Sequence, residues 1–215
     1  MINVSVFSLN PFQENTYLLW NEKLNAIIID PGCYFTAEEE TLQNFIKEKN
    51  LAPVQLINTH CHIDHIFGNK WAAKTFQLEL FIHPNEKPIF EFGPASGSLF
   101  GLNLDQYKGP LHFFEEGDTI NLDEDKLKII LTPGHSPGSV CLYCEAQNFL
   151  IGGDVLFYES IGRTDLPGGN HEQLLQSIQE KLFVLPDETI VYPGHGPETT
   201  IGHEKKFNPF LNGLM

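Results

Sequence analysis

The sequence predicts an α+β protein in which mixed sheets are covered by helices, and three observations carry that expectation. Short β-branched and aromatic runs alternate with longer amphipathic stretches. The chain has 215 residues, 41% of them hydrophobic and 19% charged, enough to bury one sizeable core within a single domain spanning 1–215. Five of the β-runs end in, or next to, a histidine or aspartate, and layered folds of sheets and helices usually place their chemistry at strand ends.

Taken in order, β-branched and aromatic runs predict strands at 2–9, 16–20, 26–29, 54–58, 80–82, 119–122, 127–131, 139–143, 149–151 and 189–192. A helix is expected over 36–49, where Leu42, Phe45 and Ile46 share one face. Another is expected over 170–183, with Asn170 as its N-cap. Shorter helices fit 69–76, 84–91 and 201–207. The stretch 92–110 is rich in Gly, Pro, Ser and aromatics without periodicity, so it reads as a long surface loop of the kind that often serves as a lid. Phe90, Phe92 and Phe100 are candidates for a pocket wall or a subunit contact.

Residues 27–29 lead to Asp30, 56–59 to His60, 129–132 to the loop with His135, 149–151 to Asp154 and 190–192 to His195. Two ends share a local sequence, Pro133-Gly134-His135-Ser136-Pro137 and Pro193-Gly194-His195-Gly196-Pro197, an echo that points to two related halves. In each, Pro-Gly stops the strand and lets the backbone approach the site closely.

Thr59-His60-Cys61-His62-Ile63-Asp64-His65 puts three imidazoles and a carboxylate directly after a strand. Zinc, iron and manganese accept these donors, whereas calcium prefers oxygen throughout. Four adjacent ligands are too many for one catalytic ion, which also needs an open position for water. Two ions sharing the cluster, each completed by a distant histidine and bridged by one carboxylate, fit the count. Cys61 and Ile63 alternate with the ligands and are expected to point into packing. His83, before Pro84, reads as structural, and His112 and His203 as surface or capping residues.

Composition excludes several classes. A formal charge of -15, from 28 acidic and 13 basic residues, repels phosphate backbones and argues against nucleic acid, though bound cations would offset part of it locally. No apolar stretch approaches the roughly 18 residues of a membrane span, and the start has no basic n-region, so no membrane association is expected and a cytoplasmic location is. Four cysteines, 33, 61, 141 and 144, are too few and too uneven for a disulfide framework. Cys141 and Cys144 form a C-x-x-C inside a strand-like run and read as structural.

The ordered set His60-x-His62-x-Asp64-His65, His135, Asp154 and His195 resembles the ligand signature of the metallo-β-lactamase fold superfamily, and within it the glyoxalase II group of thioester hydrolases. The resemblance runs from Asn15-Thr16-Tyr17 and Ile29-Asp30-Pro31-Gly32 to Gly194-His195-Gly196-Pro197-Glu198-Thr199-Thr200. It implies a four-layer αββα sandwich and two divalent ions, zinc first, with iron or manganese accepted. One ion would be held by His60, His62 and His135, the other by Asp64, His65 and His195, with Asp154 bridging. Asp64 or Asp154 would accept the proton of the attacking water. Asp30 would hold the free N–H of a ligand imidazole.

The substrate implied is a small acyl-thiol. This chain ends about 20 residues beyond His195, without the C-terminal helical region that carries glutathione-binding residues in the standard enzyme. Gly162-Arg163-Thr164-Asp165 also replaces the family's Gly-Lys-Phe-Tyr. The short single-domain relatives are therefore the closer resemblance, with a thiol that need not be glutathione. Arg163 is read either as a partner for a substrate carboxylate or as an ion pair with Asp165, and His171 as facing substrate. The same loop resembles persulfide dioxygenases, in which one iron would sit on His60, His135 and Asp154. Lactonase chemistry is a further alternative.

Overall fold

The computed structural model describes residues 1–212. In chain order its elements are β1 (Asn3–Leu9), β2 (Glu14–Trp20), β3 (Asn25–Ile29), α1 (Thr36–Glu48), β4 (Ala52–Ile57), α2 (Ile63–Ile66), α3 (Asn69–Phe76), β5 (Leu80–Ile82), α4 (Lys87–Leu99) and β6 (Leu111–Phe113). These are followed by β7 (Thr119–Leu122), β8 (Asp125–Leu131), β9 (Val140–Cys144), β10 (Phe149–Gly153), β11 (Leu156–Phe157), β12 (Ser160–Ile161), α5 (His171–Ser177), β13 (Ile190–Pro193), β14 (Thr199–Thr200) and α6 (Ile201–Phe207).

The first sheet has the order β1-β2-β3-β4-β5-β6 and the second β14-β13-β10-β9-β8-β7. β1 to β3 pair antiparallel, while β4, β5 and β6 add in parallel. Each parallel pairing needs a crossover, which α1, α3 and α4 supply in turn.

Strand periodicity then builds the layers. In β3, Ile28 packs toward Leu42 and Ile46 of α1, whereas Ile27 and Ile29 face the other sheet. In β10, Phe149 and Ile151 face the first sheet and Leu150 packs toward Leu174 of α5. Three apolar cores between four layers follow, which is an αββα sandwich. The same alternation separates Cys141 from Cys144, which lie on opposite faces of β9 as free thiols.

Three expectations change. Residues 92–99 belong to α4 and not to a loop. Pro94 deprives the Phe90 carbonyl of its helical donor, and Gln106 Nε2 replaces it at 2.5 Å. Gly97 brings the helix against Ile63, whose Cδ1 would lie 2.6 Å from an added Cβ. The helix expected over 170–183 is α helical only to Ser177 and continues as a π turn over Ile178–Leu182. Asn170 does cap it, accepting the Gln173 N–H at 3.1 Å. Finally, both Pro-Gly-His loops leave strands of the second sheet, β8 and β13, so their echo is a repeated strand exit within one sheet. Among the described residues no helix is long and apolar enough to cross a membrane.

Candidate metal centre

Asp30 directly follows β3, and its backbone turns into the left-handed region at φ 49, a conformation aspartate tolerates better than most residues. The turn aims its carboxylate at the end of β4. Oδ1 accepts from the Thr59 N–H (2.7 Å) and Asn58 Nδ2 (3.2 Å), and Oδ2 from Thr59 Oγ1 (2.5 Å). Asn58 Nδ2 also reaches the His65 carbonyl at 2.8 Å, closing the loop that carries the clustered ligands.

His60, His62 and His135 converge first. His135 Nε2 lies 2.7 Å from His62 Nδ1 and 3.2 Å from His60 Nε2. Nitrogens sharing a tetrahedral ion stand about 3.3 Å apart. His135 Nδ1 donates to the Arg163 carbonyl at 2.7 Å, and His60 Nδ1 lies 3.2 Å from Thr59 Oγ1, so the facing Nε2 atoms keep their lone pairs. Burial pushes all three imidazoles below their ordinary pKa, His62 to about 3.

Asp64, His65 and His195 form the second group. Asp64 Oδ2 is 3.1 Å from His195 Nε2 and 3.9 Å from His65 Nε2. His65 Nδ1 lies 3.1 Å from Asp30 Oδ2, which leaves Nε2 turned inward. Asp154 stands between the groups: Oδ2 is 3.5 Å from His135 Nε2 and 3.6 Å from His195 Nε2, and Oδ1 is 3.4 Å from His65 Nε2.

Buried His65 Nε2 and Asp154 Oδ1 have no hydrogen-bond partner. Burial alone would lower the His65 pKa, but Asp154 and Asp64 drive it well above the usual range. Burial would raise both carboxyls, and His65 holds them low. The space between them therefore calls for positive charge, and five imidazoles with two carboxylates fit divalent zinc, iron or manganese.

Residues 9–195 match the model of the metallo-beta-lactamase superfamily. The chain belongs to that superfamily. It is 38% identical over 213 residues to the hydroxyacylglutathione hydrolase GloC of Haemophilus influenzae, covering 98% of this chain and 99% of that protein. Among solved structures it is similar to the BLEG-1 B3 metallo-beta-lactamase, with TM-score 0.90, 40% identity, and coverage of 98% of this chain and 100% of that one. It is also similar to TTHA1623 in a di-iron-bound form, with TM-score 0.87, 35% identity, and coverage of 96% and 100%. A metallo-hydrolase fold with a divalent-metal site describes all of these observations.

In this superfamily member the two sheets grip each other around the centre. Asn15 of β2 donates from its backbone to the Gly194 carbonyl (2.7 Å) and from Nδ2 to the Pro193 (3.0 Å) and Gly196 (2.9 Å) carbonyls, and the Tyr17 hydroxyl donates to Pro193 (2.6 Å). The glycines of both Pro-Gly-His loops are required by close approach. A Cβ at Gly194 would lie 2.0 Å from Asp154 Oδ1, and one at Gly134, where φ is 137, would lie 2.3 Å from the Leu174 backbone.

A cavity of about 360 Å³ opens over His62, Asp64, His135, Asp154 and His195. Phe92, Gly93, Ser96 and Phe100 of the α4 region form one wall, Ile161, Arg163 and Leu166 the other. Phe12 meets Phe100 edge-on at 5.4 Å. Phe90, by contrast, is buried in the helix-side core, as are Cys61 and Ile63, although these last two also reach the cavity floor.

Arg163 lines the cavity with its guanidinium held by Asp165 at 2.7 Å through both Nε and a terminal nitrogen. His171 is different from its expectation. It is the first residue of α5, exposed, and not part of the cavity lining, because the Asn170 cap starts the helix outside the site.

Two buried acids escaped the sequence reading. Glu14 lies behind His65, with Oε1 3.8 Å from Nδ1 and Oε2 accepting from Thr16 Oγ1 at 3.0 Å, and burial pushes its pKa well above the usual carboxylate range. Glu86 lies beside the three-histidine group. A charged residue opening an otherwise buried strand was the signal available for Glu14; nothing in the local pattern marks Glu86.

Proposed function

We propose that this protein hydrolyses thioesters of the hydroxyacyl (lactoyl)-thiol type with two divalent ions, zinc first and iron or manganese accepted. The observation that carries the reading is the position of Asp154, one carboxylate within 3.6 Å of imidazoles from both ligand groups. Similarity to GloC along nearly the full chain supports the substrate class, and the di-iron form of TTHA1623 supports tolerance for iron.

Two bound divalent ions would supply a water of lowered pKa and a Lewis acid for the acyl carbonyl. The chain's own residues do the rest. His60, His62 and His135, kept neutral by burial, present lone pairs at neutral pH. Asp64 and Asp154, held ionised by His65, are the bases within reach of an attacking water, and either can take its proton. The apolar α4 wall seats the substrate's longer arm and keeps bulk water from the reacting carbon.

The thiol need not be glutathione. Among the described residues Arg163 is the one Lys or Arg in the cavity lining, and Asp165 already engages its guanidinium, so the two carboxylates of glutathione would meet no free cation there. The likeness to BLEG-1 favours a second reading, hydrolysis of a β-lactam amide on the same centre. One panel separates them: S-D-lactoyl thioesters of several thiols and a chromogenic cephalosporin, each with metal content measured on the same preparation. Two ions per chain with thioester turnover above cephalosporin turnover is expected. Faster cephalosporin turnover moves the assignment to the second reading, and a metal-free protein inactive on every substrate overturns both.

A further inference from the structure

Glu86 is fully buried at the end of the 3-10 turn Pro84–Glu86 and takes no part in the chemistry above. Its carboxylate receives three hydrogen bonds. Oε2 accepts the Cys61 backbone N–H at 2.7 Å, and Oε1 accepts the Gly138 N–H at 2.7 Å and the Ser136 hydroxyl at 2.5 Å. Cys61 sits between His60 and His62 on the loop that leaves β4 of the first sheet. Ser136 follows His135 on the loop that leaves β8 of the second.

We propose that Glu86 is the positioning residue of the three-histidine group, a single carboxylate that fixes the distance between two ligand loops arising from opposite sheets. The inference rests on the reading that these histidines hold an ion. A backbone bond from the Val140 N–H to the Thr59 carbonyl (2.9 Å) joins the two sheets one residue before His60. Glu86 makes the tie beside the ligands themselves.

The junction is fitted closely around that carboxylate. A Cβ at Gly138 would lie 2.8 Å from His83 Nδ1 and 2.9 Å from the Glu86 nitrogen, so only glycine lets the His135 loop come so near. His83 Nδ1 accepts the Asn85 N–H at 3.2 Å and holds the turn that presents Glu86. Three donors on two oxygens demand an acceptor-only group. Glutamine has one oxygen: it can keep Ser136 and Gly138, but then its amide N–H₂ faces the Cys61 N–H, donor against donor. Asp64, His65 and His195 are anchored elsewhere: Asn10 Nδ2 donates to the Asp64 carbonyl, Asp30 and Asn58 hold His65, and Asn15 holds the carbonyls of Pro193 and Gly196 on either side of His195.

The test is Glu86→Gln, with bound metal counted per chain by elemental analysis and both affinities read by cobalt(II) titration. Thermal unfolding of the metal-free protein reports on the fold. The expected result is a folded variant in which one ion weakens on the order of 10–100-fold, the scale for partners that orient metal ligands, while the other keeps its affinity. Two ions at wild-type affinity would overturn the proposal, as would equal loss of both. If Glu86→Gln does not fold, Ser136→Ala decides: selective weakening of one ion supports the clamp, and unchanged affinities overturn it. Wild-type protein that binds no metal at all would instead defeat the metal reading on which the inference rests.

Discussion

In the group formed by His60, His62 and His135, the partners that orient the rings are neutral: the hydroxyl of Thr59 and the carbonyl of Arg163. In the group formed by Asp64, His65 and His195, they are acids, with Asp30 bonded to His65 Nδ1 and Glu14 behind it. Burial is deep on both sides, yet it acts in opposite senses. In the first group burial outweighs the pull of Asp154 and holds the protons off. Beside Asp154 and Asp64 it is overridden, and His65 is pushed well above its ordinary pKa. The first group is therefore prepared for an ion by exclusion of the proton, the second by attraction of any cation, the proton included.

Asp154 is the carboxylate within reach of both groups, so its loss should be the largest effect. Asp154→Ala is expected to lower turnover by more than about 10³-fold, beyond the 10–100-fold typical of residues that only orient ligands, and to reduce metal content at both groups. Elemental analysis with turnover on the preferred thioester checks it. Loss confined to one ion would break the view that the carboxylate is shared.

Asp30→Asn comes next. Asparagine accepts the left-handed backbone at this position but removes the charge that faces His65. Asp30 serves His65 directly and His60 through Thr59, so both affinities should fall. The larger loss, on the order of 10–100-fold, belongs to the His65 ion. Equal losses in a cobalt(II) titration would mean that Asp30 orders the β3–β4 end as a whole rather than one imidazole.

The candidate ligands were legible in the sequence because five of the seven are histidines and four of the seven lie within six residues, directly after a strand-like run. Their supports were not. Glu14 and Glu86 are acids in a chain of 28 acidic residues, and burial, which makes them special, is a property of tertiary packing alone. Asp30 was readable because it ends an unmistakable Ile-Ile-Ile strand. α4 was hidden by its own composition: Gly93, Pro94, Gly97 and Ser98 are poor helix formers, yet the glycines permit close contact with Ile63 and Ile66, and Gln106 repairs the bond that Pro94 breaks. Strands such as β6, β11, β12 and β14 are two or three residues long, too short for any periodicity to show.

A smaller effect follows from pH. The first group's imidazoles have pKa values below the ordinary 6.5 or so, hence carry no proton near neutrality, and ion affinity there should be flat from about pH 7 upward. His65 and His195 have raised pKa values, so an ion must displace protons. Affinity for the second ion should climb by up to about tenfold per pH unit for each proton displaced, until the raised pKa is passed. Calorimetry in buffers of different ionisation enthalpy counts those protons. For the metal-free chain the sign is also fixed. Imidazoles with lowered folded pKa take up protons only on unfolding, so the first group's contribution to stability is lost as pH falls through about 6.5. The raised His65 contributes below that value and loses its contribution as pH rises through its folded pKa. Parallel slopes for the two ions would erase the distinction between the groups.

The smallest expected effect is also the one that separates backbone from side chain in the first group. Arg163 orients His135 through its carbonyl, while its guanidinium pairs with Asp165 on the exposed rim, where both side chains are more than half accessible. Arg163→Ala keeps the carbonyl and removes the pair. Metal content and affinity at both groups should be unchanged, and stability should shift little, because solvent screens an exposed ion pair. KM is then the informative readout. A thioester without carboxylates should keep its KM, since the guanidinium contributes nothing to an apolar arm lying along Phe92 and Phe100. A rise in KM limited to carboxylate-bearing thioesters would show that Arg163 leaves Asp165 to meet substrate. In that case the rim, rather than either metal group, sets which thiol the protein accepts.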